Sequence, residues 1–183
     1  MPLHVTFELS DADLDYFRNA MREAREKTDL SDEAAIIAGA RRATQHTNQL
    51  TVPDFVRARL GSLDAMTRML EDADWKLEEP HRMRVLQALA YFVDPRDMIP
   101  DEIPGVGFLD DAILIELVVQ ELHPELDAYE AFCEYRDAER ARIGVDPEEQ
   151  RRSLADQRRA MIARIERRRE QRERRGGLFS IFR

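Results

Sequence analysis

The sequence predicts an all-α fold: a helical bundle around a central helical hairpin, with one short N-terminal strand and a long basic C-terminal helix. Three observations lead there. Between Val85 and Leu122 two strongly apolar segments flank a loop crowded with Pro, Gly and Asp. On either side of this stretch, apolar residues recur at helical spacing. Beyond Asp146-Pro147 the composition turns abruptly basic. These changes divide the chain into residues 1–79, a strand and helices packing on the core, residues 80–145, the hairpin core, and residues 146–183, an arginine-rich helical extension with an apolar tip.

Leu3, Val5, Phe7 and Leu9 alternate with His4, Thr6 and Glu8, the period-two signature of a strand. A lone strand leaves its backbone groups unpaired, so Leu3–Leu9 is expected to pack or to pair with a second copy in a homodimer. Ser10 starts a helix over Asp11–Lys27, and Ser31 starts another from Asp32 to about His46. Strand, helix, helix resembles the ribbon–helix–helix arrangement of DNA-binding dimers. Glu8, Asp11, Asp13 and Asp15 would repel phosphate at this end, which argues against DNA.

From Pro53 to about Asp74, Phe55, Val56, Leu60, Leu63, Met66, Thr67 and Leu70 share a helical face, with Trp75 and Leu77 closing it against the core. Pro80 restarts the chain. From Met83 to Val93 only Arg84 and Gln87 are strongly polar, so this helix is expected to be buried nearly all round. Asp94 and Pro95 read as an N-cap and a first helical residue, with Asp97 placed to complete a capping-box-like pair. Pro100 cannot continue that turn, and Pro104-Gly105 suits a type II turn. Asp110 and Asp111 fall in the first turn of the next helix, where the dipole favours anions. That helix is expected to bury Ala112, Ile113, Leu114, Ile115, Leu117, Val118, Val119 and Leu122. His123-Pro124 marks a break. A further helix follows from Pro124 to about Ile143, with Leu126, Tyr129, Phe132 and Cys133 on one face and Gly144 ending it.

The run YFVDPRDMIPDEIPGVGFLDDAILIE resembles the core of the YkvA family, small bacterial domains of unknown function. The matching positions are Pro95, Asp97, Met98, Ile99, Pro100, Asp101, Pro104, Gly107, Phe108, Leu109, Asp110 and Asp111, with Met98 where a leucine is common. The likeness covers about forty residues. It implies a compact helical hairpin, an association with membranes in many relatives, and no established reaction.

Charge separates the two ends. Residues 1–150 hold 16 Lys and Arg against 33 Asp and Glu, whereas residues 151–183 hold 12 against 4. The extension first carries an apolar stripe, Leu154, Met161, Ile162 and Ile165, suited to docking or coiled-coil contact. Arg164, Arg167, Arg168, Arg169, Arg172, Arg174 and Arg175 follow, then Gly176-Gly177 and the apolar tip with Leu178, Phe179 and Phe182. Three roles compete for this tail. One is a solvated helix held by Glu–Arg pairs. Another is contact with an anionic membrane surface through arginines and inserted aromatics. The third is binding to nucleic acid, which ranks below the membrane because no aromatic interleaves the arginines as a stacking platform.

Chemistry is sparse. Asp94, Asp97, Asp101, Asp110 and Asp111 form the one carboxylate constellation; Asp97, Asp101, Asp110 and Asp111 are candidate oxygen ligands for a divalent cation such as Mg²⁺ or Ca²⁺. Each also has an ordinary capping or turn role, and Arg96 stands ready to neutralise one of them. His4, His46, His81 and His123 lack zinc-ligand spacing. Gly105-Val106-Gly107 lacks the third glycine of a dinucleotide loop. Cys133 is alone, on an apolar face, which fits a reducing compartment and a buried role. No signal peptide is evident, and Glu116 interrupts the apolar run of the hairpin's second helix, so no transmembrane span is expected. The expectation is a non-enzymatic cytoplasmic interaction or scaffold protein, peripheral at the inner face of a membrane, with an unidentified protein partner. The enzymatic alternative is a metal-dependent activity at the hairpin aspartates.

Overall fold

A computed structural model describes residues 8–48, 54–93 and 109–174. These form six α-helices and one 3-10 turn, and no strand occurs among them: α1 (Asp11–Lys27), α2 (Glu33–Asn48), α3 (Asp54–Glu71), α4 (His81–Leu89) continued by the 3-10 turn Ala90–Val93, α5 (Leu109–Ala141) and α6 (Pro147–Arg174). The all-α expectation holds. Most of the proposed strand Leu3–Leu9 lies outside the described residues, as does the hairpin loop with Asp94, Asp97 and Asp101.

α1 begins at a complete capping box: Asp13 N–H donates to Ser10 Oγ, and Ser10 N–H donates to Asp13 Oδ2 at 2.8 Å. α2 is capped one residue later than the sequence suggests, Asp32 Oδ1 accepting from Ala35 N–H at 3.0 Å. α3 ends at Glu71, and Asp72 organises the turn that follows by accepting from the Asp74 and Trp75 amides. Lys76 takes a left-handed backbone, φ 47°, between the buried Trp75 and Leu77.

One hydrophobic cluster runs through the bundle. Val56, Leu60, Leu63, Met66 and Met69 of α3 meet Val85, Leu86 and Leu89 of α4 and Leu114, Ile115, Val118 and Leu122 of α5. Trp75 stacks at a tilt on Tyr129 and Phe132, ring centroids 5.6 and 5.1 Å apart. Tyr129 Oη donates to Asp72 Oδ2 at 2.9 Å, and Arg136 Nη1 reaches the same oxygen at 2.5 Å while lying over the Phe132 ring. Burial and the neighbouring Asp72 carboxylate push the Tyr129 hydroxyl far above its ordinary range. Cys133 is half-buried, its thiol likewise pushed up by burial, as expected of a small hydrophobe.

The expected break at His123-Pro124 is corrected: α5 is a single helix of 33 residues with Pro124 inside it. Proline removes the N–H that would bond to Gln120 C=O four residues back. That carbonyl is satisfied from another helix, Arg172 Nη1 of α6 donating to Gln120 O at 3.1 Å and to Glu121 O at 3.3 Å. A defect local to α5 is thus closed by a residue 52 positions along the chain.

α6 runs antiparallel along α5, as the pairs Tyr135–Ser153, Glu125–Arg169 and Gln120–Arg172 require. The apolar stripe does dock: Ile165 is fully buried, and Leu154, Met161 and Ile162 pack partly buried against the core. Gly144 lies in the turn between the two helices at φ 80°, a left-handed backbone that L side chains rarely adopt and glycine takes freely.

Candidate functional site

Of the four candidate metal ligands, Asp110 and Asp111 are described. Both lie in the first turn of α5, Asp110 buried and Asp111 half-buried. Asp97 and Asp101 fall outside the described residues. Among the described residues no three His, Cys, Asp or Glu side chains gather as a ligand set.

The tail arginines divide by side. Arg175, Leu178, Phe179 and Phe182 lie outside the described residues. Arg168, Arg169 and Arg172 turn towards α5: Arg168 Nη1 meets Asp127 Oδ2 at 2.5 Å, and Arg172 holds the proline-freed carbonyls. Arg167 and Arg174 are exposed and Arg164 half-exposed; Arg174 Nη2 lies 3.9 Å from Glu170 Oε2. This end of α6 is thus packed on one side and exposed on the other. Arg169 meets Glu121 and Glu125, which stand four apart on one face of α5, and Arg168 meets Asp127 beside them.

At the centre of this contact lies a buried ionic cluster that joins α4, α5 and α6. Glu125 has no solvent exposure. Arg169 grips it with two hydrogen bonds, Nε to Oε1 at 2.6 Å and Nη2 to Oε2 at 2.7 Å, the fork geometry that suits guanidinium to carboxylate. Arg169 Nη1 also lies 3.5 Å from Glu121 Oε1. From α4, His81 Nδ1 lies 3.3 Å from Glu125 Oε1 and 3.2 Å from Arg84 Nη1. An arginine only donates, so Nδ1 accepts from Arg84 in one tautomer and donates to Glu125 in the other. Burial works against the Glu125 carboxylate, but the bonds from His81 and Arg169 outweigh it and hold the carboxyl below its ordinary range. Burial, then the neighbouring Arg169, lowers the affinity of Arg84 for its proton.

The cluster escaped sequence reading. Its members are 44 residues apart, and neither His81 nor Glu125 sits in a motif. A hint lay in the spacing of Glu121 and Glu125, stacked four apart on the buried side of an otherwise apolar helix. Next to it, a groove between α5 and α6 is lined by Gln120, His123 and Pro124 on one wall and Arg168, Gln171 and Arg172 on the other.

Residues 81–117 match the model of a family described as a protein of unknown function, DUF1232. That segment starts with His81 and runs into α5, so it spans both arms of the hairpin. Over 63 residues, 31% of this chain, the sequence is 38% identical to the uncharacterized membrane protein YkvA of Bacillus subtilis (strain 168). The chain spans 59% of the length of that relative. No solved structure matches the chain significantly. The family-model match overlaps the hairpin on which the YkvA resemblance rests, and it ends before Glu121 and the arginines that bind there. Residues 81–117 are thus similar to a family whose function is unknown, and part of the chain is similar to YkvA.

Proposed function

We propose that this chain is a non-enzymatic interaction or scaffold protein that rests peripherally on an anionic membrane surface, at the cytoplasmic face, through the end of α6 and the segment after it. The observation that carries this reading is the division of the α6 arginines. Arg168, Arg169 and Arg172 fasten the helix to the acidic body, while Arg164, Arg167 and Arg174 remain on its outer side. Of these, the exposed Arg167 and Arg174 lead in sequence to Arg175 and to Leu178, Phe179 and Phe182. A basic side chain near anionic lipid contributes about 1 kcal/mol, and reversible attachment takes such charge together with an inserted apolar group. The Bacillus relative bears the description of a membrane protein. Among the described residues no helix is long and apolar enough to cross a membrane, so attachment from one side suits this chain better than a span.

Co-sedimentation with phosphatidylglycerol and with phosphatidylcholine vesicles tests the reading, on the full chain and on the Phe179→Ser/Phe182→Ser variant. Pelleting is expected with the anionic vesicles only. Removing two aromatic groups is expected to weaken it by about tenfold or more. Equal pelleting with both lipids, or none with either, would overturn the reading and turn attention to a protein partner or RNA.

A further inference from the structure

The groove beside Pro124 has a chemistry distinct from the rest of the surface. Its volume is about 480 Å³, within the range of small-ligand sites. Its wall holds two guanidiniums, two carboxamides, an imidazole and a proline ring, and no carboxylate among the lining residues. In a chain of net charge −9 this is a local reversal of sign.

Both guanidiniums are fixed at one corner. Arg172 is held through Nη1 by the Gln120 and Glu121 carbonyls, the first of which is left without a helical donor by Pro124. Arg168 is held through Nη1 by Asp127 Oδ2, and the same carboxylate oxygen lies 3.1 Å from His123 Nδ1. Asp127 Oδ2 is thereby shared between Arg168 and His123. Each arginine keeps its Nε and Nη2 donors outside these contacts, one turn apart on the same face of α6. Gln171, between them in sequence, adds an amide at the rim. Two anchored guanidinium forks with amides beside them make an arrangement suited to tetrahedral oxyanions, because arginine matches phosphate bidentately and loses little freedom when already held.

We propose that this groove binds a phosphate ester, with Arg168 and Arg172 as the two forks. The site deepens the membrane reading, and rests on it only for the source of the phosphate: a lipid headgroup if the chain sits on a bilayer, a soluble phosphate ester if it does not. The proline at position 124 has a role in this site, since the carbonyl it frees is what orients Arg172.

The test uses the full chain with two probes of one headgroup chemistry, glycerol 3-phosphate by calorimetry and phosphatidic acid in phosphatidylcholine vesicles by co-sedimentation. Three variants are compared. Arg168→Gln/Arg172→Gln removes the forks. Gln171→Glu places a like charge at the rim and leaves every anchoring contact in place. Arg151→Gln/Arg152→Gln removes the same charge at the far end of α6. At least tenfold weaker binding is expected from the first two, and less than twofold from the third. Circular dichroism identifies any variant that fails to fold, and Gln171→Glu then carries the test.

If glycerol 3-phosphate and the vesicles both bind with this pattern, the site reads a lipid phosphate. If only the soluble ester binds so, the groove stands as a phosphate site and the membrane reading falls. If vesicles bind but all three variants lose affinity alike, or Gln171→Glu loses none, the groove proposal is overturned while the tail remains the membrane contact. Binding of neither probe overturns the proposal outright.

Discussion

A carboxylate shut away from solvent needs its lone pairs met from within the protein, and Glu125 meets this need with Arg169 on one side and His81 on the other. The pair is worth less than its short distances suggest, since both charges were removed from water to form it. Breaking it is costly, because Arg169 would stay buried without its partner. Glu125→Gln is expected to lower stability by about 3–5 kcal/mol at neutral pH, read from urea unfolding of the variant and the parent protein. The pH dependence follows in sign from the lowered carboxyl pKa. The contribution of Glu125 is complete above its ordinary value of 4.5 and is lost as pH falls through its lower value in the folded protein. Glu33, held by Arg82, and Asp72, held by Arg136 against its own burial, act with the same sign. Stability is therefore expected to fall as pH drops below about 4.5, and the gap between parent and Glu125→Gln to narrow there. A gap that widened on acidification would contradict this account.

At the scale of elements, what could be read from sequence was what neighbours in sequence decide. Ser10 and Asp13 stand three apart, so α1 was placed at both ends. The apolar faces of α3, α4 and the first half of α5 follow from spacing; among the described side chains Met69 joins the core, while Met83, Ile113 and Val119 are only partly covered. Pro124 misled because the local rule is sound: an interior proline costs a helix about 3 kcal/mol. Here a donor 48 residues further on meets the freed carbonyl, and no local pattern reveals it. The same distance hid the candidate site, whose arginines lie in α6 and whose acids lie in α5. Pro124→Ala tests this account of α5. An amide at position 124 would compete with Arg172 for Gln120 C=O, and helix propensity favours alanine. The variant is expected to be more stable by about 1 kcal/mol or more, seen as a higher melting temperature. It is also expected to weaken phosphate binding at the groove by releasing Arg172.

For the whole molecule, the basic extension is structurally part of the bundle. α6 contributes fully buried Ile165 to the core and Arg169 to the ionic cluster, with Arg158 reaching Lys76 C=O at 3.3 Å. Removing everything after Val145 would expose the α5 face and leave Glu125 without its fork. A truncation at that point is expected to lose about 5 kcal/mol, and to melt about 10–20 °C below the full chain by circular dichroism. A truncation with unchanged melting would show that α6 docks without supporting the body. The acidic body and the basic helix attract one another, yet their innermost contacts are buried, so salt is expected to affect them less than the exposed Arg151–Glu148 and Arg159–Asp156 pairs.

The path of the chain has a further consequence. Arg172 lies level with Gln120, only about 16 Å along the axis from Leu109, where α5 begins. The backbone thus enters α5 and leaves α6 at one pole of the molecule, although the two points are 65 residues apart in sequence. A surface that meets the last turn of α6 is therefore also close to the first turn of α5, with Asp110 and Asp111. Docking at that pole brings the end of one helix and the start of another to a single boundary.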